Sequence, residues 1–399
     1  MTNDSQLEWL KRYDQALMHN FGTPKVVFSR GSGADLWDQD GHHYTDMFSG
    51  IAVGGLGHAH PAITDAVSHQ MRTLGHISNL FDSEPQITLA HRLGQLATAN
   101  NPNKQARVYF ANSGTEANEA AFKITRLTGR KKIVAMEGSF HGRTMGSLAL
   151  TYTAKYREPF APLPGEVTFV PFGDIDRLAQ AVDDETAAVV MEPIQGENGV
   201  IVPPDGYLAK AREISATHDA MLWIDEVQTG IGRCGEWFVS IAEGICPDLI
   251  TVAKGLGNGF PIGACIGIGS AGEFFTPGSH GSTFSGNPVA AAAGNAVLDV
   301  IENDELLSRS RDAGQRLREG IINLNNPMIK EVRGRGLLIG IELHGEIASQ
   351  VANTLLAWRW IVNATRPTVI RLAPPLIISN QQIDDFLPQL DAAIRKASA

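Results

Sequence analysis

"DLITVAKGLGNGFPIGA", Asp248 to Ala264, sets an apolar run, Leu249 to Ala253, directly before Lys254 and a series of glycines. A short apolar run bounded by turn residues reads as a strand buried on both faces. The lysine at its carboxyl end allows two readings. Either the strand has ended and the ammonium is solvated, or the amine is held half-desolvated, where its charged form is disfavoured. The second reading makes Lys254 a nucleophile, and it requires partner groups at other strand ends.

Working outward, the same texture recurs from about residue 61 to 302. Helical periods such as "PAITDAVSHQMRTLG", "EPQITLAHRLGQLATA" and "PPDGYLAKAREISATHDA" alternate with the apolar runs "RVYFA", "KIVAM", "VTFVPF", "TAAVVMEPI", "MLWIDEV", "DLITVA" and "IGACIGIG". That alternation predicts an α/β fold with a mostly parallel sheet covered by helices on both faces. Residues 26–48 read as short strands with turns. Beyond 302 the chain reads as a long polar helix, a strand in "GRGLLIGIEL", another helix and a last helix. The predicted division is a large domain over 51–302 and a smaller α+β domain from 1–50 and 303–399.

The 399 residues suffice for two domains, and a net charge of −10 argues against nucleic acid or an anionic membrane as a partner. The polar, amphipathic start does not read as a secretory signal, and the longest apolar stretch, "VAAAAGNAVLDVI", is too short to span a bilayer. Three widely spaced cysteines fit a reducing compartment. The expected location is the cytoplasm.

In parallel sheets, ligands lie beyond the carboxyl ends of strands. After "RVYFA", Ser113-Gly114-Thr115 opens a helix, giving unpaired N–H groups and hydroxyls suited to an anion, or simple capping by Ser113 or Thr115 with Glu116 in the first turn. After "KIVAM", Phe140, His141 and Arg143 share a loop, where Phe140 can cover a planar ring and Arg143 can hold a carboxylate. Glu192 and Glu197 follow "TAAVVM". Asp225 follows "MLWI" and must find a positive partner; Val227 shares its face and Gln228 offers an amide. His58 and His60 lack a third ligand at a recognisable spacing, so they read as a structural loop pair and no metal is expected. GxxxxGK[ST] is absent, and "GLGNGF" lacks the last glycine of a dinucleotide fingerprint.

One ligand uses the whole inventory: a phosphorylated pyridine aldehyde. Lys254 forms a Schiff base with the aldehyde, Asp225 pairs with the protonated ring nitrogen, and the helix start holds the phosphate. The glycines after Lys254 let the backbone turn away beneath the ring.

The segments "SGIAVGGLGHAHP", "NSGTEANEAAFKITRLTGR", "SFHGRTMGSLALT", "EPIQGENGV", "WIDEVQTGIGRCG", "AKGLGNGFPIGA", "HGSTFSGNP" and "VRGRGLLIGIEL" resemble the class III (ω-)aminotransferases, most of all their bacterial acetylornithine branch. The resemblance runs from about residue 15 to the end. It implies a fold-type I subunit, pyridoxal 5'-phosphate as cofactor on Lys254, and a homodimer with shared active sites. On matching positions it implies Asp225 at the ring nitrogen, Val227 and Phe140 on the two ring faces, and Gln228 near the ring hydroxyl. Gly114 and Thr115 would bind the phosphate with Thr283 of the partner subunit. Arg143, with Ser282 of the partner subunit nearby, would bind the substrate's α-carboxylate. Glu197 and Arg371 would form the family's switch pair, the arginine staying paired for an ω-amino substrate and swinging to bind a carboxylate of glutamate. Asn198 stands where the family's glycine is expected.

The implied reaction is ping-pong transamination of N2-acetyl-L-ornithine with 2-oxoglutarate, giving N-acetyl-L-glutamate 5-semialdehyde and L-glutamate, a step of arginine biosynthesis. Succinylornithine, N-succinyl-diaminopimelate precursors, ornithine and 4-aminobutyrate are alternative donors. The aromatic clamp of ornithine-specific members is missing near Ile51, which disfavours free ornithine. A non-catalytic cofactor-binding or regulatory module is the alternative from another class, and the presence of both Lys254 and Asp225 argues against it.

Overall fold

The computed structural model describes residues 5–399. Three strands come first, β1 (Phe28–Ser32), β2 (Asp35–Asp38) and β3 (His43–Asp46). Four more follow, β4 (Ala106–Ala111), β5 (Lys132–Met136), β6 (Glu166–Val170) and β7 (Thr186–Met191). Then come β8 (Met221–Asp225), β9 (Leu249–Val252) and β10 (Gly263–Ile268). The last five are β11 (Ile329–Arg335), β12 (Leu338–Leu343), β13 (Trp360–Ile361), β14 (Asn363–Arg366) and β15 (Val369–Leu372).

The seven strands β4 to β10 form one sheet in the order β4-β10-β9-β8-β7-β5-β6. Its neighbours pair in parallel from β6 through to β9, and only β10 runs against β4 and β9. The carboxyl ends of β4, β5, β7, β8 and β9 therefore share one edge. Burial explains the apolar runs. Along β8, Met221 and Trp223 pack in one apolar cluster with the helix Gly114–Arg126, while Leu222 and Ile224 pack in another with Leu208 of the helix Tyr207–Thr217. Alternation puts Asp225 on the Trp223 face, the side of helix Gly114–Arg126.

Two further sheets flank this one, β1-β2-β3-β13 and β11-β12-β15-β14. The segment "GRGLLIGIEL" is two strands rather than one. β11 and β12 form an antiparallel hairpin that turns at Gly336, φ +50°, where an added Cβ would meet the backbone of Cys234. β13, β14 and β15 come in addition to the strands expected from the sequence. β13 has two residues and pairs in parallel with β3, Trp360 beside Thr45 and Ile361 beside Asp46. Such remote, short pairings carry no local period.

Candidate active site

Five strand ends converge on a cavity of about 370 Å³. Ser113, Gly114 and Thr115 border it after β4, Phe140 and Arg143 after β5, and Glu192 after β7. Asp225, Val227 and Gln228 border it after β8, and Lys254 after β9.

At the β4 end, Ser113 caps the helix Gly114–Arg126 by accepting the Glu116 N–H, and Glu116 reaches back to the Asn112 N–H at 2.9 Å. Capping thus occupies the Ser113 hydroxyl. The Thr115 hydroxyl is also engaged, accepting the N–H groups of Arg143 and Thr144 at 3.2 Å each. What this helix start offers an anion is its first-turn backbone N–H groups, for which the helix has no carbonyls.

Asp225 is buried and finds the positive partner its position demanded. Its Oδ2 stands 2.7 Å from His141 Nδ1 and accepts from Asn118 Nδ2 at 2.9 Å; its Oδ1 accepts the Val227 N–H at 3.0 Å. Burial works against a charged imidazole, but the Asp225 hydrogen bond and charge outweigh it and raise the His141 pKa. His141 was legible only as part of a loop. The only sequence signal for Asn118 is its place four residues after Gly114, on the same face of an otherwise alanine-rich helix.

Lys254 opens a short 3-10 turn at φ +46°, a left-handed conformation strained for lysine. The turn beneath the site is thus made by Lys254 itself. The nearby Gly257 serves close approach, since a Cβ there would clash with the Phe260 carbonyl. Burial lowers the Lys254 pKa to about 8, against the opposing pull of Glu197. Next to it, burial pushes the Glu192 carboxyl up to about 7, although it accepts the N–H groups of Phe140 at 3.1 Å and Gly196 at 3.2 Å.

Arg371, on β15 and almost wholly buried, donates to Glu197 at 2.6 Å, to Gln228 at 2.9 Å and to Asn363 at 3.0 Å. Burial alone would raise the Glu197 pKa, but Arg371, followed by Lys254, holds it below the ordinary value. Asn363, from β14, had no sequence signal. Asn198 braces this loop, donating to Gln195 Oε1 at 2.8 Å and accepting from Arg366 at 2.6 Å. Ser282 and Thr283 do not border the cavity of their own chain. Ser282 Oγ accepts from Asn112 at 3.2 Å, and Thr283 is exposed. His58 is paired with Asp46 at 2.9 Å.

The arrangement suits a planar, phosphorylated aldehyde. It joins a half-buried amine of lowered pKa, a buried carboxylate, an apolar side chain and an aromatic at the cavity wall, and a helix start for an anion. It can capture a carbonyl compound and draw electrons toward a ring paired with the carboxylate.

The chain belongs to the class-III aminotransferases, whose family model matches residues 18–394. It is 54% identical over 387 residues to the acetylornithine aminotransferase of Mycobacterium tuberculosis, covering 97% of this chain and 96% of that protein. Its structure is similar to that of the ornithine aminotransferase from Toxoplasma gondii, with TM-score 0.93 and 29% identity over 99% of this chain and 96% of that one. It is also similar to the N-acetylornithine aminotransferase from Stenotrophomonas maltophilia, with TM-score 0.81 and 33% identity over 95% and 98%. The fold is that of these α/β aminotransferases. No helix among the described residues is long and apolar enough to cross a membrane.

Proposed function

We propose that this enzyme transfers the terminal amino group of N2-acetyl-L-ornithine to 2-oxoglutarate in two half-reactions, using pyridoxal 5'-phosphate bound through Lys254. The observation that carries the reading is the cavity wall itself. Lys254, with its pKa at about 8, and Asp225, paired to His141, follow adjacent strands and face one cavity. The relatives named acetylornithine aminotransferase, at 54% identity over nearly the full chain, support the donor.

When bound, the cofactor supplies an electron sink for the carbon bearing the substrate's amino group. The chain supplies the rest. Asp225, held by His141 and Asn118, would keep the ring nitrogen protonated. Val227 and Phe140 would pack on the ring, Gln228 would hold its hydroxyl, and Gly114 and Thr115 would give backbone N–H groups to the phosphate. Lys254 Nζ moves the proton at the substrate's terminal carbon. Arg143 binds a substrate carboxylate. Arg371 stays paired to Glu197 for acetylornithine and turns to a carboxylate of 2-oxoglutarate.

The reading includes a cytoplasmic homodimer in which Thr283 of the partner subunit completes the phosphate site and Ser282 of the partner subunit lies near the α-carboxylate. Neither residue borders the cavity of its own chain, which supports it. Sheet membership supports the division of the subunit: all seven strands of the central sheet lie within 51–302, while the flanking sheets draw on the remainder.

The test is an absorbance titration of the cofactor-loaded protein. The visible band should vanish with N2-acetyl-L-ornithine and return with 2-oxoglutarate. A band that ignores acetylornithine but responds to ornithine, succinylornithine or 4-aminobutyrate would replace the donor. Absence of any band after reconstitution would overturn the role of Lys254.

A further inference from the structure

Arg143 stands at the cavity with no carboxylate of the described residues beside it, and what holds it is aromatic. Its guanidinium lies 3.6 Å from the centroid of the Tyr156 ring and 5.4 Å from that of Phe140. Tyr156 and Phe140 meet at 6.5 Å with their planes at 89°. One tyrosine therefore touches both the residue proposed to cover the cofactor and the residue proposed to bind substrate.

The platform under that tyrosine is anchored. Tyr156 belongs to the short helix Ala154–Arg157, and its N–H donates to the Thr153 carbonyl at 2.9 Å. Next to it, Arg157 donates to the Tyr152 carbonyl at 3.2 and 3.1 Å and lies 4.7 Å from the ring of Phe169 on β6. Tyr152 also packs edge-on against Phe169, at 5.4 Å. The helix is thus fastened to the sheet through Phe169.

We propose that Tyr156 is a positioning residue for the substrate carboxylate, its ring holding the Arg143 guanidinium ready at the cavity. Stacking uses the flat face of the guanidinium and leaves the in-plane N–H donors free for a bidentate carboxylate. Holding the long side chain beforehand removes the ordering cost that each carboxylate would otherwise meet on binding. The ring is sufficient for this, and the hydroxyl is not needed. The inference rests on the proposed role of Arg143.

The experiment compares Tyr156→Phe and Tyr156→Leu in the cofactor-loaded enzyme, with Tyr156→Met replacing the leucine variant should that one fail to hold cofactor. Glutarate, a dicarboxylate with no group to react, reports binding by calorimetry without turnover. In Tyr156→Leu the Kd for glutarate and the KM values for acetylornithine and 2-oxoglutarate should rise about threefold to thirtyfold, the range of a cation–π contact. The kcat should stay within about twofold, and Tyr156→Phe should match the wild type. Reaction with putrescine, which has no carboxylate, should be unaffected. An unchanged glutarate Kd in Tyr156→Leu, equal losses in Tyr156→Phe, or an equal loss with putrescine would each overturn the proposal. Failure of the wild type to use acetylornithine would instead sink the donor assignment, and the glutarate comparison would still decide the role of Tyr156.

Discussion

His141 Nδ1 stands 2.7 Å from Asp225 Oδ2, and neither side chain meets solvent to any useful extent. The pair explains how a carboxylate survives at the end of an apolar strand. An imidazole with a raised pKa shares its charge, and Asn118 supplies a second donor. Asp225→Asn removes the charge proposed to hold the ring nitrogen protonated. Turnover should fall on the order of 10²-fold or more. Steady-state kinetics with saturating cofactor checks this, and near-normal turnover would refute the role given to Asp225.

His141→Leu should act differently, by leaving Asp225 buried without its cationic partner. Removing one member of a buried pair costs about 3–5 kcal/mol. Denaturant unfolding of the cofactor-free protein should show a loss of that order.

Lys254 sets a pH dependence whose sign is fixed. With its pKa lowered to about 8, the amine is an ammonium below that pH and has no lone pair for an aldehyde. Capture of pyridoxal phosphate by the cofactor-free enzyme should therefore speed up as pH rises through about 8 and level off above it. Stopped-flow absorbance across pH 6.5 to 9.5 measures the profile, and a flat profile would contradict an amine of lowered pKa. Lys254→Ala should retain cofactor noncovalently while losing turnover.

Glu192 gives the opposite sign. Its folded pKa is raised from 4.5 to about 7, so folding binds a proton there, and its contribution to stability is lost as pH climbs from about 4.5 to 7. The upper bound on that loss is about 3 kcal/mol. Glu192→Gln stays neutral throughout. Its Tm relative to the wild type should improve as pH rises from 5 to 7.5, and a pH-independent difference would count against the raised pKa.

Arg371 and Glu197 should separate the two half-reactions. Arg371→Leu deletes the cation proposed for a 2-oxoglutarate carboxylate, so KM for 2-oxoglutarate should rise roughly 10- to 100-fold, the range of a charge-assisted hydrogen bond. KM for acetylornithine should move much less. Glu197→Gln releases the arginine and should lower KM for 2-oxoglutarate. Equal shifts for both substrates in either variant would remove the case for a switch.

The sequence by itself determined the strands of the central sheet and the residues at their ends. Burial on both faces demands runs such as "MLWI" and "DLITVA", and a charged residue directly after one stands out for that reason. Lys254, Asp225, Ser113, Phe140, Arg143, Glu192 and Glu197 were legible on those grounds, and family resemblance added Arg371 and its pairing with Glu197. Only the tertiary structure decided who meets whom. Arg371 reaches Glu197 across 174 residues because β15 joins the β11-β12-β15-β14 sheet, and the four-residue strands β14 and β15 lack a clear period. His141 finds Asp225 because β5 and β8 end at the same edge, and Tyr156 finds Arg143 because the short helix Ala154–Arg157 is fastened to β6. Local periodicity specifies which element forms and which face it buries. The pairings, and the shifts of pKa that follow from burial, depend on crossovers and registers that no local window contains.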